Sequence, residues 1–399
     1  MSLLGQSGTW VQSLVVGGVV AGVGNVLVFV PVMVFLWVAL AVLEDSGYMA
    51  RAAFVMDRLM RALGLHGKSF LPLLVGFGCN VPALYAARVL ENRRDRVLTG
   101  LLVPFVSCAA RLPIYVLLAA VFFRANASTV VFVMYLLSIL FVILVGVALR
   151  HTVFRANEQA PFVMELPPYR RPTLRAVGRH TRERTGGFLR KTGTAIFACS
   201  IGVWLLLAIP VGGGGFGHTD INESAFSAAS RAVAPVFSPA GFGTWKQSGA
   251  LISGLLAKET VVTTMGQVYG KEQAEGATNG SVRGQLGSIA TSFGTAVTAA
   301  VRAVPKIVGV NLDQTGRHDD TALQQGVRAN FQASSGGHPA LAGFAFMVFV
   351  LLYVPCMATI AAACHELGTR WMWTSVALNM AVAWTAATLV FQVGYLVAG

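Results

Sequence analysis

Five residues combine ligand chemistry with an abnormal helical setting: Cys79, Asn80, Cys108, Glu259 and Cys356. Cys79 and Asn80 lie in SFLPLLVGFGCNVPALYAAR (Ser69 to Arg88), apolar enough for a bilayer yet broken by Gly76, Gly78 and Pro82. Backbone broken at membrane depth is tolerated only where it packs in protein or lines a polar cavity. In transport proteins such breaks mark the binding site. Cys108 sits in PFVSCAARLP, where Pro104 and Pro113 bracket a polar patch with Ser107 and Arg111. Glu259 follows Lys258 in GLLAKETVVTT, and an ionised residue in hydrocarbon normally faces a cavity or a partner. Cys356 directly follows Pro355 in LLYVPCMATIA. Thiolate with carboxylate suits Fe(II) or Zn(II) better than Mg(II) or Ca(II). A mixed Cys/Glu/Asn set with partial hydration also binds weakly enough to release its ion.

The bland readings are set beside these. A lone membrane cysteine behaves as a small hydrophobe, and Cys199 and Cys364 are read that way. The seven histidines show no His-x-x-x-His spacing and read as loop or surface residues. Glu44 and Asp45 either attract cations at a pore mouth or cap the following helix. GLHGKS (Gly64 to Ser69) imitates the end of a phosphate-binding loop, but Ala62 stands where the motif needs Gly, so no nucleotide site is expected.

The elements that must position these residues are membrane helices. The chain is 55% hydrophobic and only 12% charged, against about 25% charged in soluble domains. Apolar segments cover about 13–43, 69–86, 97–123, 128–149, 192–211, 247–268, 340–363 and 371–398, and several reach the roughly 20 residues a span needs. The net charge of +13 reads as the cytoplasmic loop bias of membrane proteins, not as a nucleic-acid surface. No cleavable signal peptide is expected, because the first charged residue is Glu44. The five cysteines all lie in or beside apolar segments, which argues against a disulfide framework.

Charge sets the topology. Residues 150–191 hold ten Lys/Arg against three Glu and are placed in the cytoplasm. Both flanks of 69–86 are basic, so that segment enters and leaves on one side as a re-entrant hairpin. Loop 269–339 carries six Lys/Arg against five acids and suits the outer side, which makes 247–268 re-entrant from outside. Residues 47–66 and 172–190 read as interfacial helices. The expected fold is an all-α polytopic membrane protein of two inverted repeats with re-entrant hairpins and broken helices. Residues 1–149 form the first repeat and 150–191 a basic linker. Residues 192–399 form the second repeat, with loop 269–339. Inverted repeats with broken helices at mid-depth define an alternating-access carrier.

Leu43 to Ala83, Leu90 to Tyr115, Met164 to Arg184, Ala234 to Val262 and Phe349 to Ala362 resemble the membrane portion of the ferrous iron transport protein B family, a nucleoside-transporter-like gate fold. The resemblance implies Fe2+ transport across the bacterial inner membrane by a multi-pass permease that is not itself an enzyme. It carries iron-path roles onto Cys79, Cys108 and Cys356, and an acidic gate role onto Glu259. Members usually begin with a cytosolic GTP-binding domain; these residues hold no such domain, so the expectation is either a separate GTP-binding polypeptide or a longer chain of which these residues are a fragment. Expected partners are Fe2+ and the lipid bilayer, with no nucleic acid. Candidates are a separate GTP-binding protein, a small accessory iron-transport protein and a second copy of the chain. Two other readings stand beside this one. An organic solute carrier, such as a nucleoside transporter, has little need of three membrane thiols. A non-transporting membrane subunit has little need of intact polar breaks in both repeats.

Overall fold

The computed structural model describes residues 21–62, 64–153, 169, 171–188, 190, 194, 201–202, 204–206, 208–211, 224–256, 258, 261, 265, 321–353 and 356–398. Among them the chain is helical; one isolated bridge, between Pro210 and Ser224, is the sole extended pairing. The chain divides into two compact units. One comprises Met1–Leu36, Glu183–Ser238 and Phe242–Gly337; the other comprises Trp37–Arg182, Pro239–Gly241 and His338–Gly399.

Among the described residues, four helical stretches are long and apolar enough to cross a bilayer, and all four lie in the second unit. Two are broken. Arg93–Phe122 contains α5 (Arg93–Leu102) and α6 (Leu112–Phe122), and Pro339–Leu367 contains α12 (Pro339–Leu352) and α13 (Met357–Leu367). Each is followed by an unbroken span, α7 (Ala127–Thr152) or α14 (Thr369–Ala398). These match the expected interrupted segments 97–123 and 340–363 and the continuous ones 128–149 and 371–398. Burial separates the two kinds. The broken spans are 56% and 69% buried over their most apolar windows, the unbroken ones 28% each. On α7, Phe132, Leu136, Ile139, Leu140 and Leu144 are exposed, as lipid-facing residues must be.

The broken spans run antiparallel, and contacts at both ends establish it. Arg88, just before α5, forms a bidentate ion pair with Glu366, near the end of α13. At the other end, a Cβ on Gly343 of α12 would collide with the ring of Phe122 at the end of α6, and Phe123 meets Phe344 edge to face at 6.4 Å. Opposite directions for equivalent elements are what inverted repeats require. Gly368, with φ of 91°, ends α13 and lets α14 turn back at once.

The first re-entrant segment is two short helices, α3 (Phe70–Gly78) and α4 (Asn80–Ala86). Neither piece is long enough to cross a bilayer. Its ends meet: Lys68 Nζ donates to Glu91 Oε1 at 2.9 Å, and Thr99 donates to Ser69 at 2.8 Å. A straight helix would hold residues 68 and 91 about 34 Å apart, so the chain enters and returns on one side. A Lys68→Cys/Glu91→Cys pair, with the native cysteines replaced by serine, should therefore be joined by a short bis-maleimide. The product is visible as two fragments held together after protease cleavage between them. Failure to cross-link would mean that the segment crosses.

α2 (Tyr48–Ala62) and α8 (Leu174–Phe188) occupy the stretches read as interfacial helices. In the first unit, α9 (Ala225–Phe237) packs against α10 (Trp245–Leu256), and α11 (Thr321–Ser334) supplies Asn330 to the Thr244 hydroxyl at 2.8 Å. Residues 13–20, the break of the second re-entrant segment around Glu259, and most of loop 269–339 lie outside the described residues.

Candidate functional site

Each cysteine of interest marks a place where a helix stops and restarts. Cys79 is the single extended residue between α3 and α4, with φ −153° and ψ 133°. Gly76, Gly78 and Pro82 explain the break: glycine disfavours helix, and proline at the third position of α4 tolerates only a fresh start. The Cys79 N–H still donates to Val75 O at 3.1 Å, and its carbonyl accepts from Ala83 N at 3.4 Å. Cys356 caps α13, its carbonyl accepting from Thr359 N at 2.8 Å and its sulfur lying 3.3 Å from the Thr359 hydroxyl. Cys108 ends the extended stretch 106–108 between two 3-10 turns, Val103–Phe105 and Ala109–Arg111.

Two of the three breaks lie side by side. α4 packs against α13, and Arg88–Glu366 ties their C-terminal ends, so the two helices run side by side in one direction. Cys79 and Cys356 cap their N-terminal ends. Counting helical rise back from the tied end puts Cys356 about 15 Å from it along α13 and Cys79 about 13 Å from it along α4. Cys108 lies beyond α5, one 3-10 turn and the extended stretch 106–108, farther along the first broken span.

Asn80 follows Cys79 and is 3% exposed; among the described residues its Oδ1 has no hydrogen-bond partner. A buried carbonyl oxygen left unpaired costs about 1–3 kcal/mol. The hairpin tip reaches the first broken span through aromatic contacts. Phe77 stacks on Tyr135 of α7 at 6.4 Å, and Tyr135 meets Tyr115 edge to face at 6.4 Å. The Tyr115 hydroxyl lies 3.2 Å from that of Ser107. Val106 sits against Gly76, where a Cβ would come within 3.2 Å.

The break at Cys108 is held by side chains that composition did not single out for this task. Arg111 is fully buried; its Nη1 donates to Val106 O at 2.9 Å and its Nη2 to Pro104 O at 3.0 Å. Ser138 on α7 donates to Phe105 O at 3.0 Å and accepts from Ser107 N at 2.8 Å. Three successive carbonyls freed from the helix are thus all satisfied, as a backbone out of water requires. Proline at 104 and 113 signalled the break, but nothing in the spacing signalled Ser138. The Arg88–Glu366 pair also carries no sequence signal, because its partners are 278 residues apart.

Among the described residues, no three His, Cys, Asp or Glu side chains gather closely enough to hold a metal ion. Cys79, Cys108 and Cys356 therefore lie in one unit without closing into a cage. Lys258 is 2% exposed in the other unit, and Glu259 lies outside the described residues.

Antiparallel interrupted spans, a re-entrant hairpin and continuous apolar helices with exposed outer faces define a polytopic helical membrane protein. The chain belongs to the Gate (nucleoside recognition) family, whose profile matches residues 26–122 and 189–370, and its residues 131–184 match that of the ferrous iron transport protein B C terminus. It is 38% identical over 389 residues to a Fe(2+) transporter FeoB of Staphylococcus aureus, covering 97% of this chain and 50% of that protein. It is 38% identical over 397 residues to a Fe(2+) transporter FeoB of Legionella pneumophila, covering 96% and 50%. The chain thus spans about half the length of the curated relatives it matches. No solved structure matches it.

Proposed function

We propose that the chain is the ferrous iron permease portion of a bacterial inner-membrane transporter, with the ion crossing at the level of Cys79, Asn80, Cys108, Glu259 and Cys356. The observation that carries this is the pair of cysteine-capped half-helices, α4 and α13, side by side with the Asn80 oxygen, unpaired among the described residues, beside one cap. An anionic sulfur at either cap faces the positive end of a helix dipole. An Asn oxygen adds a neutral donor, and water completes a shell that is easily shed. Such a set holds a borderline-soft cation for transit, where a closed thiolate cage would retain it. The antiparallel broken spans supply two halves that can rock about the site. In this reading residues 1–149 and 192–399 are inverted repeats joined by the cytoplasmic linker 150–191. A GTP-binding protein or domain, a small accessory protein and a second copy of the chain are its candidate partners.

Anaerobic uptake of labelled Fe2+ into proteoliposomes tests the proposal. Cys79→Ser, Cys108→Ser and Cys356→Ser should each lose about tenfold or more. Cys199→Ser and Cys364→Ser should stay near the parent. Equal effects at all five positions would reduce the thiols to packing, and uptake of nucleosides in place of iron would favour the organic-solute reading.

A further inference from the structure

One corner of the second unit carries two amphipathic helices, each with an exposed outward face. On α2, Ala53, Asp57 and Met60 are buried, while Tyr48, Val55 and Leu59 stand on the opposite side, 53%, 74% and 51% exposed. Their spacing of seven and four residues makes a single stripe. On α8, Val177 and Thr181 are buried, and Arg175, Arg179 and Arg182 form an exposed ladder on the far side. Arg171 lies four residues before that ladder and is also exposed. Among the described residues none of these four arginines has a carboxylate within ion-pair distance.

The two helices are tethered at one point. The Thr173 N–H, just ahead of α8, donates to Asp45 Oδ2 at 3.0 Å, at the end of α1 (Ala21–Asp45). The Arg51 guanidinium lies 3.4 Å from the centroid of the Tyr169 ring. Leu174, at the start of α8, is 91% exposed. A solvated basic face would explain the arginines alone. It does not explain Val55, Leu59 and Leu174 at the same corner, which water disfavours. The boundary of a bilayer supplies an apolar phase and a layer of phosphate within a few ångström of each other.

We infer that this corner is a binding surface for anionic phospholipid. The α2 stripe lies in the acyl boundary, and Arg171, Arg175, Arg179 and Arg182 meet the phosphodiester headgroups. Each basic residue at an anionic surface strengthens attachment by about fivefold at moderate salt, so neutralising four should remove most of the preference.

Native mass spectrometry of the full chain in neutral detergent tests this, with phosphatidylglycerol and phosphatidylcholine of matched acyl chains as competing probes. The parent should retain phosphatidylglycerol about tenfold over phosphatidylcholine, an advantage that shrinks as salt rises. R171Q/R175Q/R179Q/R182Q should elute and melt like the parent, since all four positions are exposed, yet lose that preference. Val55→Glu/Leu59→Glu should weaken retention of both lipids. Inorganic phosphate should not displace the lipid. Equal retention of the two lipids by the parent, an undiminished preference in the quadruple variant, or full displacement by inorganic phosphate would each overturn the inference.

Discussion

Arg111→Met should destabilise the chain by about 2–3 kcal/mol and release the polar break at Cys108. The side chain is fully buried, and its two Nη donors hold the carbonyls of Val106 and Pro104. Removing them strands two carbonyls out of water, at about 1–3 kcal/mol each. The opposing term is relief of a buried charge, because methionine needs no hydration and replacing buried ions by apolar groups can itself stabilise. The carbonyls should win, because Met cannot satisfy them and the break cannot rewind: Pro104 lacks the N–H a helix needs there. Arg111→Lys should fall between the two. An ammonium keeps the charge but lacks the fork that spans two carbonyls. Thermal unfolding in detergent ranks the three proteins. A methionine variant as stable as the parent would mean that the carbonyls find other donors. A lysine variant worse than methionine would mean that the charge, not the fork, dominates the site.

Legibility followed the range of the interactions. Helix breaks came through clearly, because Gly76, Gly78, Pro82 and Pro104 act on their own backbone. The re-entrant path of residues 69–86 was readable for a different reason: basic flanks on both sides forced one-sided entry, and Lys68–Glu91 shows the two flanks meeting. Antiparallel spans followed from the same charge bookkeeping. What composition could not show is how a break is held open. Ser138 reaches Phe105 across 33 residues, and Glu366 reaches Arg88 across 278. A serine in an apolar helix and an arginine in a basic loop look ordinary until the fold brings their partners. The cysteines were picked by their neighbours, and the structure places each at the point where a helix restarts.

At the tied end of the two half-helices, Arg88→Gln should cost more than Glu366→Gln. The pair is bidentate, with Nε–Oε2 at 2.6 Å and Nη2–Oε1 at 2.5 Å, but its two sides differ in burial. The Glu366 side chain is 4% exposed and that of Arg88 is 55% exposed. Removing the arginine leaves a carboxylate in a nearly dry position with His365 Nδ1, at 3.1 Å, as its remaining side-chain partner. An orphaned buried charge costs about 3 kcal/mol or more. Removing the glutamate leaves a guanidinium that water can reach, and a loss of about 1–2 kcal/mol is expected from the missing charged bonds. The double variant should be no worse than Arg88→Gln alone, since with both charges gone nothing is stranded. Thermal unfolding of all four proteins gives the coupling directly. Additive losses would show that Arg88 and Glu366 do not act as a pair. The same cycle bears on transport. This pair joins the beginning of one broken span to the end of the other, so a motion that separates those two ends parts it. Variants lacking it should expose Cys79 and Cys356 to a membrane-impermeant maleimide added on that side faster than the parent does. Unchanged labelling would place the moving boundary elsewhere.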